Sequence, residues 1–264
     1  MSERVLIIGL DETEHEEIIS RINIRAVAHE LLPQIIVKDG VLQVESRKGP
    51  WLVNVDRVIF HAIYENDLDF FAGLVLWGGP CLPNARAMMD ARLKIPCLAR
   101  ALEYTRFGLP LRGYAGPGAL FQSDTEKVAK WGNWHCGENK ERFTGNWTSS
   151  EACIIEDFLP GQAVRLVIIG DKYWQIRLEG ESWLKSIHSE ASDFMDVDKE
   201  LLEDTQAVGK GFGLEILAND YIVTEKGTKH LLEVNHIPNV TRFPELWQAY
   251  ADYVVSWINN IKAS

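Results

Sequence analysis

The segment "KHLLEVNHIPN", Lys229 to Asn239, reads as a buried strand, with Leu231, Leu232 and Val234 apolar and Pro238 ending the run. It also carries Glu233 and Asn235. Successive strand side chains point to opposite faces, so these two polar residues share one face. A buried carboxylate needs a partner. The partner is either a basic side chain, giving a structural ion pair, or a hard cation such as Mg2+, which prefers oxygen ligands. Just upstream, "GLEILANDYIV" supplies a second strand, and the turn "TEKGT" pairs the two so that Asp220 comes near Glu233. Asp220, Glu233 and Asn235 are then three converging oxygen ligands. Mg2+ completes its octahedron with substrate phosphates and water, so this set points to a nucleotide. The competing reading makes Asp220 a solvated strand end.

The chain has 264 residues, 46% of them hydrophobic, enough for one large domain or two modest ones. A net charge of −11 argues against a protein that grips nucleic acid. No run of 18 apolar residues occurs, and "MSERVLIIGL" leads directly into a strand-like pattern, so neither membrane insertion nor export is expected. Cys81, Cys97, Cys136 and Cys153 are scattered without a CxxC pair, which indicates neither a disulfide framework nor a zinc site, and suggests a reducing cytoplasm. Nine tryptophans are many for this length; Trp131, Trp134 and Trp147 crowd a region that also holds Gly132, Gly137 and Gly145, and packing is their simplest role.

Along the chain, "RVLIIGL" followed by the acid-led "DETEHEEIISRI" predicts a strand entering a helix. Asp39-Gly40 between two β-branched runs predicts a hairpin. "DRVIFHAI" and "GLVLWGGP" are further strand candidates around a helical "ENDLDFFA", which makes the part up to about Asn84 an open α/β arrangement. From Ala85 to Phe107 the chain reads as helix broken at Pro96. Turns at "IGDK" and "EKGT" predict antiparallel sheet in the second half, with a helix over "VDKELLEDTQAVGKGFG" and a last amphipathic helix from about Pro244 to Ile261.

Chemistry concentrates in this second half. "VAKWGNWHCGENK" ends a strand at Lys130 and continues into a loop with Gly132 and Gly137, which can present backbone N–H groups and a lysine charge to phosphate oxygens. It matches no P-loop, and "IIGLDETEHEE" lacks GxGxxG. "IIEDFLPG" is an apolar strand that breaks at Pro160, where exposed backbone could bond an adenine edge. Arg165 and Arg177 lie on adjacent strands of a hairpin turning at Gly170-Asp171, and arginine suits phosphate and carboxylate alike.

Taken in order, these pieces resemble the ATP-grasp superfamily, most closely its glutathione-synthetase-like and ribosomal-protein glutamate-ligase-like branch, over most of the chain. The resemblance implies an α/β fold, α+β in the C-terminal half, with an open α/β domain over residues 1–84, a central domain over 85–160 and a C-terminal domain over 161–264. It puts Asp220, Glu233 and Asn235 at the metal positions and makes "AKWGNWHCG" the flap over the triphosphate, with Lys130 and Gly137 on phosphate. Asp157, Phe158 and Leu159 become the hinge against adenine, and Arg165 and Arg177 the arginines of the reacting groups. The sequence departs from the family at Ala163, where an acid often stands, and near Trp183, where Lys185 and Ser186 replace the usual arginine and asparagine and Lys185 takes the phosphate role. The first phosphate lysine is Lys94, or Arg92 in its place, and Asn239 replaces the common glycine after Pro238. The implied activity is a Mg-ATP-dependent carboxylate–amine ligase working through an acyl phosphate, with Mn2+ able to replace Mg2+. His135 and Cys136 then need no nucleophilic role. The alternatives are an inactive nucleotide-binding regulatory module or a small-molecule kinase on the same fold. Acceptor identity stays open among amino acid, peptide and protein tail, and a homo-oligomer stays open too.

Overall fold

The computed structural model describes residues 3–107, 112–132, 139–180 and 182–261. In chain order the elements are β1 (Arg4–Ile8), α1 (Glu12–Arg21), β2 (Arg25–His29), β3 (Ile35–Lys38), β4 (Val41–Glu45), β5 (Leu52–Val55), β6 (Arg57–Phe60), α2 (Asp67–Trp77), β7 (Cys81–Leu82), α3 (Ala85–Ala91) and α4 (Lys94–Ala101). Then follow β8 (Gly113–Ala115), β9 (Phe121–Trp131), β10 (Lys140–Trp147), β11 (Cys153–Asp157), β12 (Gly161–Ile169), β13 (Lys172–Arg177), β14 (Asp193–Met195), α5 (Lys199–Phe212), β15 (Ile216–Thr224), β16 (Lys229–Asn235) and α6 (Pro244–Asn260). They form two compact units, one from Met1–Met89, Gly213–Ile216 and Asn239–Ser264, the other from Asp90–Phe212 and Leu217–Pro238.

The first unit is built on a parallel sheet in the order β2-β1-β6-β7. Val5 to Ile8 and Val58 to Phe60 are buried on both faces, as unbroken apolar runs in a parallel sheet should be. The acids after β1 cap α1: the Asp11 carboxylate accepts from the Glu14 N–H and the Glu14 carboxylate from the Asp11 N–H, each at 2.9 Å. The Asp39-Gly40 hairpin forms as expected, joining β3 to β4 in a three-stranded antiparallel sheet completed by β5. Both turn residues take positive φ, 52° and 76°, the pattern that lets a two-residue loop follow strand twist.

Two expectations fail here. "GLVLW" is no strand: it continues α2 to Trp77, because Phe70, Phe71 and Leu74 recur at helical spacing and bury together. Pro96 does not break a helix either. It sits in the first turn of α4, where a proline's missing N–H has no partner to lose.

The second unit holds two sheets, β10-β9-β11-β8, paired antiparallel throughout, and β14-β13-β12-β15-β16, with hairpins at β12–β13 and β15–β16. Helix α5 packs on β12 and α4 on β16. Gly161 opens β12 where a Cβ would meet the Val223 carbonyl oxygen at 2.4 Å, so only glycine fits. Cys81, Cys97 and Cys153 are buried free thiols, and Cys136 lies outside the described residues. Among the described residues no helix is long and apolar enough to cross a membrane.

Arg57 holds the first unit's C-terminal helix to its sheet. It is 1% exposed, donates to the carbonyl oxygens of Ile258 and Ile261 at the end of α6, and pairs with Glu3. Arg57→Met should therefore cost about 1–3 kcal/mol for each carbonyl left without its donor, read as a lower urea midpoint with the slope unchanged. An unaltered midpoint would show that the clamp contributes nothing.

Candidate active site

The β15–β16 register sets Asp220 directly opposite Glu233 and Ala218 opposite Asn235. Opposed residues of an antiparallel pair share a face, so Asp220, Glu233 and Asn235 lie on one face of the hairpin with the small Ala218 beside them. All three are buried. The Asn235 Nδ2 donates to the Ala218 carbonyl oxygen at 3.3 Å, which commits the nitrogen end of the amide and turns its oxygen end to accept.

The opposite face is fixed by a buried polar network to α5. The Tyr221 hydroxyl donates to the Asp204 Oδ2 at 2.8 Å, lies 2.8 Å from the Thr205 hydroxyl and accepts from the Asn219 Nδ2 at 3.0 Å. Asp204 also accepts from the Arg106 N–H at 2.7 Å and from the Thr105 hydroxyl.

Cations crowd the carboxylate face. Arg165 grips Asp220 with both arms of its fork, Nε to Oδ1 at 2.6 Å and Nη2 to Oδ2 at 2.8 Å. Lys140 stands 3.5 Å from the Glu233 Oε2. Lys130 is opposite Lys140 across β9–β10, and it bonds the Glu156 Oε2 at 2.6 Å and the Leu232 carbonyl oxygen at 3.3 Å. Glu156 gives its other oxygen to Arg112 Nε at 2.6 Å, and Arg112 also donates to the Leu231 carbonyl oxygen. Glu156 thus ties two cations to the backbone just before Glu233. Burial alone would raise the Glu156 carboxyl; Lys130 and Arg112 outweigh it and hold the group below its usual range. Lys94 is buried in α4, the helix packed on β16, and in the same helix burial, with Glu233 nearby, pushes the Cys97 thiol up to about 12.

The donor set fits a hard divalent cation. Two carboxylates and one amide oxygen give a partial oxygen shell of the kind Mg2+ completes with phosphate and water. Among the described residues no group of three or more His, Cys, Asp or Glu is arranged to hold a metal.

Other residues singled out in the sequence lie elsewhere. In β12–β13 Arg165 is opposite Ile176 and Arg177 opposite Val164, so the two arginines project from opposite faces. Arg177 is half exposed, 3.3 Å from Glu179, and Lys185 is 3.7 Å from the same carboxylate while bonding the Gly180 carbonyl oxygen at 3.1 Å. Asp157 pairs with Lys127 across β9–β11. The Phe158 N–H donates to the Glu126 carbonyl oxygen at 3.2 Å, and the Phe158 ring carries the Arg142 guanidinium 3.8 Å above its centre. Leu159 is half-buried beside it. Gly137 lies outside the described residues, as do Trp134, His135 and Cys136. Lys140, Glu156 and Arg112 were missed by the sequence reading. The signal was there for Glu156, an acid inside the apolar "CIIED", by the argument applied to Glu233.

The chain has the fold of solved ATP-grasp ligases. No family model and no curated protein matches the sequence. Solved structures match in shape across nearly the whole chain. A RiPP-associated ATP-grasp ligase from Chryseobacterium gregarium, in complex with ADP and a leader and core peptide, is 10% identical, with a TM-score of 0.64 over 96% of this chain and 97% of that one. The macrocyclase MdnC from Microcystis aeruginosa, bound with precursor peptide MdnA, is 16% identical, with a TM-score of 0.62 over 96% and 99%. The VanG D-Ala:D-Ser ligase of Enterococcus faecalis is 13% identical, with a TM-score of 0.67 over 98% and 100%.

Glu156→Gln leaves Lys130 and Arg112 buried without their anion and should cost about 3–5 kcal/mol at neutral pH. Because the folded Glu156 value is depressed, its contribution is complete above the ordinary 4.5 and is lost as pH falls through the folded value. Urea unfolding at a series of pH values should show the gap between wild type and variant closing in acid. A gap that stays constant into acid would remove Glu156 as the charged centre.

Proposed function

We propose that this chain is a Mg-ATP-dependent carboxylate–amine ligase. The observation that carries this reading is the single hairpin face on which Asp220, Glu233 and Asn235 meet, bordered by Arg165, Lys130 and Lys140. Asp220, Glu233 and the Asn235 amide oxygen would hold Mg2+. When bound, that ion neutralises charge on the terminal phosphates and lines up the transferring group. Lys130, Lys140 and Arg165 bind phosphate oxygens from the side facing the hairpin, and Lys94 adds a cation from α4. Phe158, with Leu159 and the backbone from Asp157, offers an apolar seat for adenine where β11 ends.

In the reaction a carboxylate oxygen attacks the terminal phosphorus and ADP leaves, giving an acyl phosphate. An amine then attacks the acyl carbon, phosphate leaves, and the amine loses a proton. No side-chain nucleophile is required, so the buried thiols have no part. Peptides are the substrate class that the solved neighbours support: a leader and core peptide accompany one of them and a precursor peptide another. A peptide carboxylate and an amine are therefore the proposed pair.

The test is ADP and phosphate release with Mg-ATP and pooled amino-acid, dipeptide and acidic-peptide acceptors, followed by mass analysis. Loss of one water per coupled pair is the expected result, and Glu233→Gln and Asp220→Asn should abolish it with the metal-free fold intact. Phosphate added to an acceptor would convert the reading to a kinase, and ATP binding without turnover would leave a binding module.

A further inference from the structure

Asp220 and Glu233 already have cationic side chains as partners. Asp220 takes both arms of Arg165, at 2.6 and 2.8 Å, and Glu233 has the Lys140 ammonium at 3.5 Å. These positions are not what strand pairing alone would favour. Lys140 is set directly opposite Lys130, and like charges opposed across an antiparallel pair weaken it. Lys130 is held by Glu156 at 2.6 Å, the carboxylate it shares with Arg112, whereas Lys140 reaches a carboxylate assigned to the cation, at 3.5 Å.

A divalent cation placed on the same two carboxylates meets two positive charges there. In a site this buried, repulsion is screened far less than in bulk water, so the cation and the two side chains compete. The competition ends when an anion accepts the side chains. Arginine and lysine both suit phosphate oxygens, and their long stems let the charged ends move while the strands stay in place.

We propose that Lys140 and Arg165 hold the place of a divalent cation on Glu233 and Asp220, and pass to the phosphates of a bound polyphosphate when the cation enters. Cation and polyphosphate are then taken up as a coupled pair. Lys140 becomes a phosphate-binding residue supplied by the first position of β10. The inference rests on the ligase reading only in taking the polyphosphate to be a nucleotide.

The experiment is calorimetric titration of Mn2+ into the whole protein, alone and in the presence of ADP, inorganic triphosphate or AMP. Wild type should bind Mn2+ weakly alone and more tightly with ADP or triphosphate, while AMP, which lacks a second phosphate, should not help. Solution chelation contributes to that gain, so variants in metal alone decide the matter. Lys140→Gln should bind Mn2+ alone about tenfold more tightly than wild type and lose most of the gain given by ADP. Lys140→Arg, which keeps the charge, should behave as wild type. Melting curves in metal-free buffer establish that both variants are folded, and Arg165→Gln, in which Asp220 loses its partner, serves only as a supporting arm. Unchanged or weaker Mn2+ affinity in Lys140→Gln overturns the proposal. A wild type that responds to triphosphate but not to ADP would sink the nucleotide reading, and the comparison of Mn2+ alone would still decide this one.

Discussion

A slip of one residue between β15 and β16 would carry Glu233 and Asn235 to the face packed by α5, because strand side chains alternate. The site therefore depends on one hairpin register. That register is set at the turn, and the facing of β15 is set by α5. The turn closes with the Thr224 N–H donating to the Thr228 carbonyl oxygen at 2.9 Å, with Gly227 at φ 78°. On the far face Tyr221 bonds Asp204, which fixes which side of β15 faces α5 and so leaves Asp220 on the other. The irregularity after Asp220 absorbs the odd residue without moving Asp220 from its place opposite Glu233.

The second constraint is charge. Asp220 and Glu233 are both buried, and a buried carboxylate with no cation is not stable in that form. Ion pairs in such places are poor devices for stability alone, since apolar residues of similar volume often serve better. Two carboxylates on one face, each held by a cation from a different strand, make more sense as a set of exchangeable partners. The Glu156 cluster shows the contrast. There both carboxylate oxygens are taken at 2.6 Å, and both cations are also bonded to the β16 backbone. It ties β11, β9 and β16 together and has the geometry of a fixed support. The Lys140–Glu233 contact, at 3.5 Å, is longer, the geometry of a partner that can leave.

Much of this was legible in the sequence, and what was not has physical reasons. The hairpins at Asp39-Gly40, Gly170-Asp171 and the Thr224–Thr228 turn were readable because turn chemistry is local. Asp220, Glu233 and Asn235 followed, since hairpin pairing converts sequence distance into a shared face. Reading "GLVLW" as a strand failed because a short apolar run looks alike in a strand and a buried helix, and only its continuity with "DLDFF" decides. Arg112 and Lys140 escaped because their roles arise from contacts with β16, which is far from them in the chain and in another sheet. The strand β10 gave no sequence signal of its own, and without it Lys140 has no reason to stand opposite Lys130.

The two arginines of the β12–β13 hairpin show a constraint that the sequence contained but the residue types obscured. With a loop of two residues, Gly170 and Asp171, Ile169 must face Lys172, and every outward step keeps the same parity. Arg165 then falls opposite Ile176, and Arg177 is carried to the other face whatever its chemistry would favour. Counting outward from the turn therefore separates the pair by arithmetic alone. Arg165 lands beside Asp220, one strand over, where a fork meets a carboxylate end-on. Arg177 lands with Glu179 and Lys185, half exposed, in an arrangement that surface charges adopt readily and that contributes little to stability. Among strand residues, parity about the turn is thus a stronger guide to a shared site than similarity of side chain, and here it selects Arg165 as the arginine of the carboxylate face.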